Sequence, residues 1–322
     1  MRRDRFLRCC LALPAAAWLL PAQAAATVRM WIPVGPGGGW DATGRALGQA
    51  MQDAGVVSAV QYTNRGGAAG ALGLAQFLGA ARNDPDALLV MGAVMVGGLI
   101  ANQSPLRLSD ATPLARLHAE YPVFVVPADS PLHTPQDLLD AMRRDPAQVR
   151  WGGGSRASTE HIAALRMAMA AGVDPAQVRY TAFRGASEAE RALRQGDVTI
   201  AGDSYGELAP YLAAGRVRAL GVTSPERFAD VDVPTFREQG VPLDVGNWRG
   251  IYGAPGLSPQ AQRAWADAIV QATQQPSWLD AQRRNGWAPA VLTGNAFRQF
   301  VEAETAAMRD FLTRARVVGT AS

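Results

Sequence analysis

Short apolar segments with strand-like patterns alternate with helical patterns along the whole chain, and this alternation restricts the fold more than any other feature. It is typical of an α/β architecture, which we expect to be mainly parallel. A chain of this length suits two packed lobes better than one. Strands are predicted at 28–34, 57–63, 87–91, 121–127, 148–152, 178–182, 198–201, 217–222 and 248–252.

The N-terminus predicts an export signal. Four arginines precede an apolar run from Cys9 to Pro21, and Ala22-Gln23-Ala24 matches a cleavage site of small residues. The run is too short to span a membrane, so we expect cleavage after residue 24 and a periplasmic mature protein. Cleavage removes both cysteines, and with four arginines and one aspartate it lowers the net charge from +3 to zero. Disulfides are therefore excluded, and nothing favours a nucleic-acid partner.

The composition also excludes several kinds of chemistry. The chain contains no lysine, which rules out a Schiff-base lysine and a P-loop lysine. Its three histidines, His118, His133 and His161, are scattered and lack the spacing of a metal site. We therefore predict no metal and no cofactor.

A glycine-rich turn lies between the first predicted strand and its helix. Gly37, Gly38 and Gly39 would let several backbone N–H groups point into one space at a helix N-terminus, where an anion such as a carboxylate is favoured. Trp40 is predicted to line a pocket wall or to join the core. Asp41 is predicted either to cap the helix or to accept a hydrogen bond from a ligand hydroxyl or a bridging water.

Three further turns end strands and open onto helices. The turn 152–161 offers Ser155, Ser158, Thr159 and His161, which could cap the helix, bind a ligand, or do both. Phe183-Arg184-Gly185 and Asp203-Ser204 adjoin the capping boxes Ser187-x-x-Glu190 and Ser204-x-x-Glu207. Because ligands of open α/β sheets bind at the carboxyl ends of strands, these turns together predict a cleft between lobes. The arginines nearest to the turns are possible countercharges or solvated surface groups: Arg65, Arg156, Arg184 and Arg249.

The chain resembles the periplasmic receptors of tripartite tricarboxylate transporters, also called Bordetella uptake gene proteins. The segment PVGPGGGWDATGRAL, which starts at Pro33, matches the family pattern P-x-x-P-G-G-x-x-D. Asn64 and Gly66 belong to a stretch similar to N-x-x-G-x-x-G, and 233–240 is similar to V-P-T-x-x-E-x-G. The resemblance implies a two-lobed, type II-like Venus flytrap whose chain crosses near Phe124 and Trp248. Lobe I would comprise 25–124 and 248–322, and lobe II 125–247.

The resemblance also implies the ligand and the partner. Main-chain amides and hydroxyls of the first two turns would hold one ligand carboxylate, and a membrane permease of the tripartite tricarboxylate type would receive the ligand from a monomeric receptor. The chain looks closest to the citrate-binding branch, but Val94 and Met95 suit a less charged distal end, so a tricarboxylate and a dicarboxylate both remain open. The residues predicted to contact the ligand are Gly37, Gly38, Gly39, Trp40, Asp41, Asn64, Gly66, Met95, Ser155, Ser158, Thr159, His161, Phe183, Arg184, Gly185, Asp203 and Ser204.

Two other functions are compatible with these residues. A ligand-sensing subunit of a signalling system would have the same sequence features as a transport receptor. A secreted hydrolase would use Ser155 or Ser158 with His161 and Asp203, although the chain lacks a G-x-S-x-G nucleophile turn. We predict a receptor that is not an enzyme.

Overall fold

The computed structural model describes residues 27–228 and 232–318. The predicted export signal lies outside this part of the chain. The strands are β1 Thr27–Ile32, β2 Ala59–Asn64, β3 Ala87–Gly92, β4 Thr112–Glu120, β5 Val123–Pro127, β6 Arg150–Gly153, β7 Arg179–Ala182, β8 Ile200–Asp203, β9 Val217–Val222, β10 Asn247–Gly253 and β11 Ala288–Thr293. The α-helices are α1 Gly39–Asp53, α2 Ala71–Ala80, α3 Ala93–Ala101, α4 Pro135–Arg144, α5 Thr159–Ala170, α6 Ala186–Gln195, α7 Tyr205–Ala213, α8 Pro259–Ala272, α9 Pro276–Asn285 and α10 Gly294–Arg314.

The strands form two separate sheets. The first has the order β11-β4-β10-β3-β1-β2, and the second has the order β7-β6-β8-β5-β9. Both sheets are mixed, so the expectation of a mainly parallel architecture is wrong. The reason is that the strands around each crossing run against their neighbours: β10 is antiparallel to β3 and β4, and β5 is antiparallel to β8 and β9.

The chain passes between the sheets twice. It leaves β4 at Glu120 and enters β5 at Val123, and it returns to the first sheet at Asn247. The α/β fold therefore has two lobes joined by two crossovers, as the sequence predicted. We propose that lobe I is built on the first sheet and lobe II on the second, with boundaries close to the predicted 124 and 247.

Each lobe has a buried apolar centre. Strand β3 is buried along its whole length, which explains its continuous apolar sequence ALLVMG. In lobe II, the buried ring of Phe124 meets Trp151 and Phe236 edge to face at 5.5 and 6.0 Å between ring centroids. Full burial of such a side chain stabilises the fold by about 1.5–3 kcal/mol. None of the helices in 27–228 and 232–318 is long and apolar enough to cross a membrane.

The lobes also touch away from the crossovers, where α7 packs against α9 and at two further places. Helix α3 of lobe I packs on the loop before α5 of lobe II, where a Cβ added at Gly97 would lie 2.1 Å from the carbonyl oxygen of Ala157. At the end of α10, the Arg166 guanidinium lies 5.2 Å from the ring centroid of Phe311, and Arg156 donates a hydrogen bond to the Val317 carbonyl. The two lobes are therefore in direct contact, and Gly97 permits the approach of α3.

We predict that Gly97→Val opens the lobes. The new Cβ would meet a backbone oxygen that no side-chain rotation can move, so the close approach of α3 to Ala157 would be lost. Small-angle scattering should show a larger radius of gyration for the variant than for the unchanged protein. Ligand affinity should fall by about tenfold or more because less of the protein is closed. Gly79→Val, whose Cβ would meet nothing within 4 Å, is the control and should change neither quantity.

Candidate ligand-binding cleft

A cavity of about 650 Å³ lies between the two lobes. From lobe I it is lined by Pro33, Val34, Gly35, Pro36, Gly38, Gly39, Trp40, Gly66, Gly67, Ala69, Gly70 and Val94. From lobe II it is lined by Gly154, Ser155, Ser158, Glu160, Phe183, Arg184, Gly185, Asp203, Ser204 and Glu207. The two crossovers and the start of β10 contribute Glu120, Pro122, Asn247 and Arg249.

The first glycine turn presents the N-terminus of α1 to this cavity. Helix α1 begins at Gly39, and its N-cap is Gly38, which has no side chain to accept the N–H groups of the first turn. Asp41 is therefore not the N-cap, contrary to the expectation, because the helix begins two residues before it. The free N–H groups and the positive end of the helix are suited to an anion.

Asp41 instead fixes the shape of the turn. Its Oδ2 accepts hydrogen bonds from the Gly37 N–H and from Arg45 Nε, both at 2.9 Å, and its Oδ1 accepts one from Asn64 Nδ2 at 2.9 Å. Burial alone would raise the pKa of Asp41, but the hydrogen bonds from Arg45, Gly37 and Asn64 outweigh it and lower the pKa below its ordinary value. The carboxylate is thus ionised and engaged with the protein behind the cavity wall.

The loop between β2 and α2 forms the neighbouring part of the wall. Ala68 and Ala69 have φ values of 48° and 53°, a left-handed conformation that costs a residue with a Cβ roughly 1–2 kcal/mol. The loop is held by close packing, since a Cβ at Gly70 would lie 2.7 Å from Met95 Cε and 2.8 Å from Trp40. Strain of this kind is concentrated at functional sites.

A buried ion pair lies where the crossovers meet the cavity. Arg249 Nη2 and Nε donate hydrogen bonds to the two carboxylate oxygens of Glu120 at 3.1 and 3.3 Å, and the two side chains are 8% and 4% exposed. A Cβ added at Gly39 would lie 2.6 Å from Arg249 Nη2, so the guanidinium packs directly against the start of α1. The ion pair therefore links both crossovers to the first glycine turn.

The wall of lobe II begins with a hydroxyl–carboxylate network. Ser158 is the N-cap of α5, and its Oγ donates a hydrogen bond to Glu160 Oε2 at 2.5 Å. Thr159 Oγ1 donates to Glu160 Oε1 at 3.0 Å, and the Tyr180 hydroxyl donates to the Gly154 carbonyl at 3.0 Å. The expected capping role of Ser158 is confirmed, and Thr159 supports Glu160 from outside the cavity.

Two more carboxylates follow on the same wall. Glu207 Oε2 accepts a hydrogen bond from the Ala186 N–H at 3.4 Å, and Asp203 Oδ1 accepts one from the Ser204 N–H at 2.7 Å. Burial is the main cause that raises the pKa of Asp203, and the nearby charges of Glu207 and Glu160 raise it further. Burial likewise raises the pKa of Glu207. Each carboxylate makes the other harder to ionise.

Both predicted capping boxes are wrong. Helix α6 begins at Ala186 after the N-cap Gly185, so Ser187 and Glu190 lie inside the helix. Ser204 is the N-cap of α7, but its side chain makes no capping hydrogen bond. Glu207 reaches back to α6 instead of to its own helix start, and this places its carboxylate in the cavity.

His161 faces away from the main cavity. Its Nδ1 accepts a hydrogen bond from the Ala157 N–H at 3.0 Å, its ring lies 4.4 Å from that of Tyr180, and it borders a separate cavity of about 340 Å³. Ser158 Oγ is bonded to Glu160 and not to the imidazole. A serine–histidine–aspartate arrangement is therefore not assembled. The described residues also contain no group of three or more His, Cys, Asp or Glu that could hold a metal ion.

The residues predicted to contact the ligand fall into two groups, those that line the cavity and those that do not. For both groups, contact with a ligand remains a prediction. The cavity wall contains Gly38, Gly39, Trp40, Gly66, Ser155, Ser158, Phe183, Arg184, Gly185, Asp203 and Ser204. The other predicted residues do not line this cavity: Gly37, Asp41, Asn64, Met95, Thr159 and His161. Sequence reasoning named Glu207 only as a capping residue, and it did not single out the other acidic and amide residues of the wall: Glu120, Glu160 and Asn247. One signal was available, because Glu120 ends an apolar strand just before a crossover.

Solved structures of periplasmic binding proteins share this fold. MatC from Rhodopseudomonas palustris, with bound malate, has a TM-score of 0.74 at 22% identity, covering 91% of this chain and 100% of that chain. A second R. palustris protein, with adipate, has a TM-score of 0.78 at 21% identity, covering 90% of this chain and 97% of that chain. These likenesses define the class of fold: two α/β lobes with a cleft between them.

The sequence profile described as the tripartite tricarboxylate transporter family receptor matches residues 45–315, and the chain belongs to this family. A relative from Pseudomonas sp. strain P51, the UPF0065 protein of the tcbD–tcbE intergenic region, is 29% identical over 271 residues, covering 81% of this chain and 79% of the relative. These findings confirm the family resemblance. They also confirm that the chain is a solute-binding protein and not an enzyme.

We predict that Arg249→Met strongly destabilises the protein. The substitution leaves the Glu120 carboxylate buried without its partner, and breaking such a pair costs about 3–5 kcal/mol. Urea unfolding measures the loss. Arg143→Met, which breaks the exposed pair with Asp140, is the matched control and should cost less than about 1 kcal/mol. Adding Glu120→Gln to Arg249→Met should recover part of the stability; no recovery would mean that lost packing, not the unpaired charge, causes the effect.

We predict that His161 makes the fold sensitive to acid. Burial, assisted by the charge of Arg156, lowers the pKa of His161 from 6.5 to about 4. The folded state therefore resists protonation, so the contribution is fully present above pH 6.5 and is lost as the pH falls towards 4. The shift corresponds to roughly 3 kcal/mol. Urea unfolding at pH 7.5 and 4.5 should show a smaller loss for His161→Gln than for the unchanged protein, whereas His133→Gln, at an exposed position, should behave like the unchanged protein.

Proposed function

We propose that this protein is a periplasmic receptor that closes its two lobes around a small carboxylate and delivers it to a membrane permease of the tripartite tricarboxylate type. The observation that carries the proposal is the uncapped N-terminus of α1, which opens onto the cavity between the lobes. One ligand carboxylate would accept hydrogen bonds from the first-turn N–H groups at Gly39 and Trp40, near the Arg249 guanidinium. The buried hydroxyl of Ser155, which has no partner among the described residues, would be a further donor.

The size of the cavity and the ligands of the structural neighbours support a small ligand. A volume of about 650 Å³ lies within the range of sites for small molecules. MatC with malate and the second R. palustris protein with adipate are two-lobed proteins of the same fold that hold C4 and C6 dicarboxylates. A tricarboxylate such as citrate is less suited to this wall, because Glu160, Asp203 and Glu207 would repel additional negative charge.

The mode of action follows from the two-lobed fold. A ligand that contacts both walls binds the closed arrangement better than the open one, so it shifts the population towards closure. The closed form would then be the one that the permease recognises. The export signal predicted at residues 1–24 is consistent with a periplasmic location, and we propose that the receptor acts as a monomer.

A thermal-shift experiment tests the proposal. The mature protein, refolded to remove bound ligand, would be heated with mono-, di- and tricarboxylates and with the methyl esters of the same compounds. A ligand at 100 times its dissociation constant should stabilise the fold by about 2.7 kcal/mol, which raises the melting temperature by several degrees. We expect shifts with free carboxylates and none with esters. Equal shifts with both forms would show that the cleft does not recognise the carboxylate.

The substitution Gly38→Val tests where in the cleft the ligand carboxylate binds. The backbone at Gly38, with φ −81° and ψ 169°, is allowed for valine, and the new Cβ would lie 3.2 Å from Val34 Cγ2, so its bulk would be added to the cavity wall beside the start of α1. We expect at least a tenfold loss of affinity with an unchanged melting temperature in the absence of ligand. Undiminished affinity would place the carboxylate elsewhere in the cavity.

A further inference from the structure

The two walls of the cleft differ in the groups that they offer to a ligand. The wall of lobe I offers hydrogen-bond donors, because α1 presents its uncapped first turn beside the Arg249 guanidinium. The wall of lobe II offers carboxylates from three elements: Glu160 on α5, Asp203 at the end of β8 and Glu207 on α7. Arg184 also lies on this wall but is exposed to solvent.

The N-terminus of α6 is a further place where an anion could bind. A carboxylate of the protein already occupies it. The Glu207 carboxylate accepts a hydrogen bond from the Ala186 N–H in the first turn of α6, and its Oε2 lies 3.3 Å from the place where a Cβ of Gly185 would be. A ligand carboxylate cannot take this position without displacing Glu207. The start of α6, which follows the predicted contact residues Phe183, Arg184 and Gly185, is therefore occupied by a protein carboxylate.

Asn247 gives independent support for a donor on the ligand. This residue starts β10, lines the cavity and is 5% exposed. Its Oδ1 is buried and has no hydrogen-bond partner among the described residues. An unpaired buried acceptor costs about 1–3 kcal/mol, and a donor supplied by a ligand would remove that cost.

We infer that the ligand carries an ammonium group at the end opposite to its carboxylate, so that the cleft takes an amino-carboxylate with its carboxylate at α1 and its ammonium among Glu160, Asp203 and Glu207. This inference rests on the proposed function, because it assumes that α1 holds the carboxylate. An ammonium group donates three hydrogen bonds and neutralises part of the negative charge of lobe II, whereas a second carboxylate would add to it.

Matched pairs of ligands test the inference by isothermal titration calorimetry. Glutarate and 4-aminobutanoate share three methylene groups, and adipate and 5-aminopentanoate share four, so within each pair only the distal group changes from carboxylate to ammonium. We expect the amino compound of the better-fitting pair to bind at least about tenfold more tightly than its dicarboxylate. Tighter binding of the dicarboxylates would overturn the inference and leave the proposed function intact. If no member of either pair binds, and the carboxylate panel also gives no thermal shift, both fail.

Asp203→Asn tests the role of the acidic wall. Asparagine keeps the shape of the side chain and an oxygen for the Ser204 N–H, so the fold should be retained, and the melting temperature without ligand verifies this. The variant should bind the amino compound at least about tenfold more weakly and the matched dicarboxylate more tightly. Asp129→Asn, an exposed change of the same charge away from the cavity, should leave both affinities unchanged. Parallel losses for both ligands in Asp203→Asn would contradict a contact with ammonium.

Discussion

The ion pair between Glu120 and Arg249 is the contact on which the cleft depends. Glu120 ends the strand that leads into the first crossover, and Arg249 lies two residues after the chain returns from the second. Because both charges are out of water, each requires the other, and their bidentate geometry fixes the two strands relative to one another. The same guanidinium packs against the first residue of α1. The two crossovers, the first glycine turn and the cavity wall are thus one connected unit.

This unit explains how a protein without catalytic groups can select a ligand. The wall of lobe I is built from backbone N–H groups, which are neutral at any pH and cannot be lost by substitution of a side chain. The wall of lobe II is built from side chains whose charges raise one another's pKa. In the proposed function, the first wall would supply a constant preference for a carboxylate, while the second could change between relatives and determine which carboxylate is held.

The sequence predicted the fold better than the cleft. Local patterns located β9 at 217–222 and the buried strand β3, and the glycine turn was predicted at the helix start that lines the cavity. Where the prediction failed, the partner was distant along the chain. Glu207 matches a capping box with Ser204, yet its carboxylate bonds to α6, a contact that exists only after α6 and α7 have packed. Strand direction in a mixed sheet is likewise decided by tertiary contacts.

The contact between the end of α10 and lobe II is one of the junctions that the lobes make besides the two crossovers. Two chain segments crossing side by side permit both bending and twisting of one lobe against the other. The junction at α10 opposes the twist, since Arg166 would have to leave Phe311 and Arg156 would have to leave the Val317 carbonyl. We therefore expect opening to proceed mainly by bending, which would return the two walls to the same alignment after every release. The C-terminal end of α10 would thereby limit how the cleft opens, although it does not line the cleft.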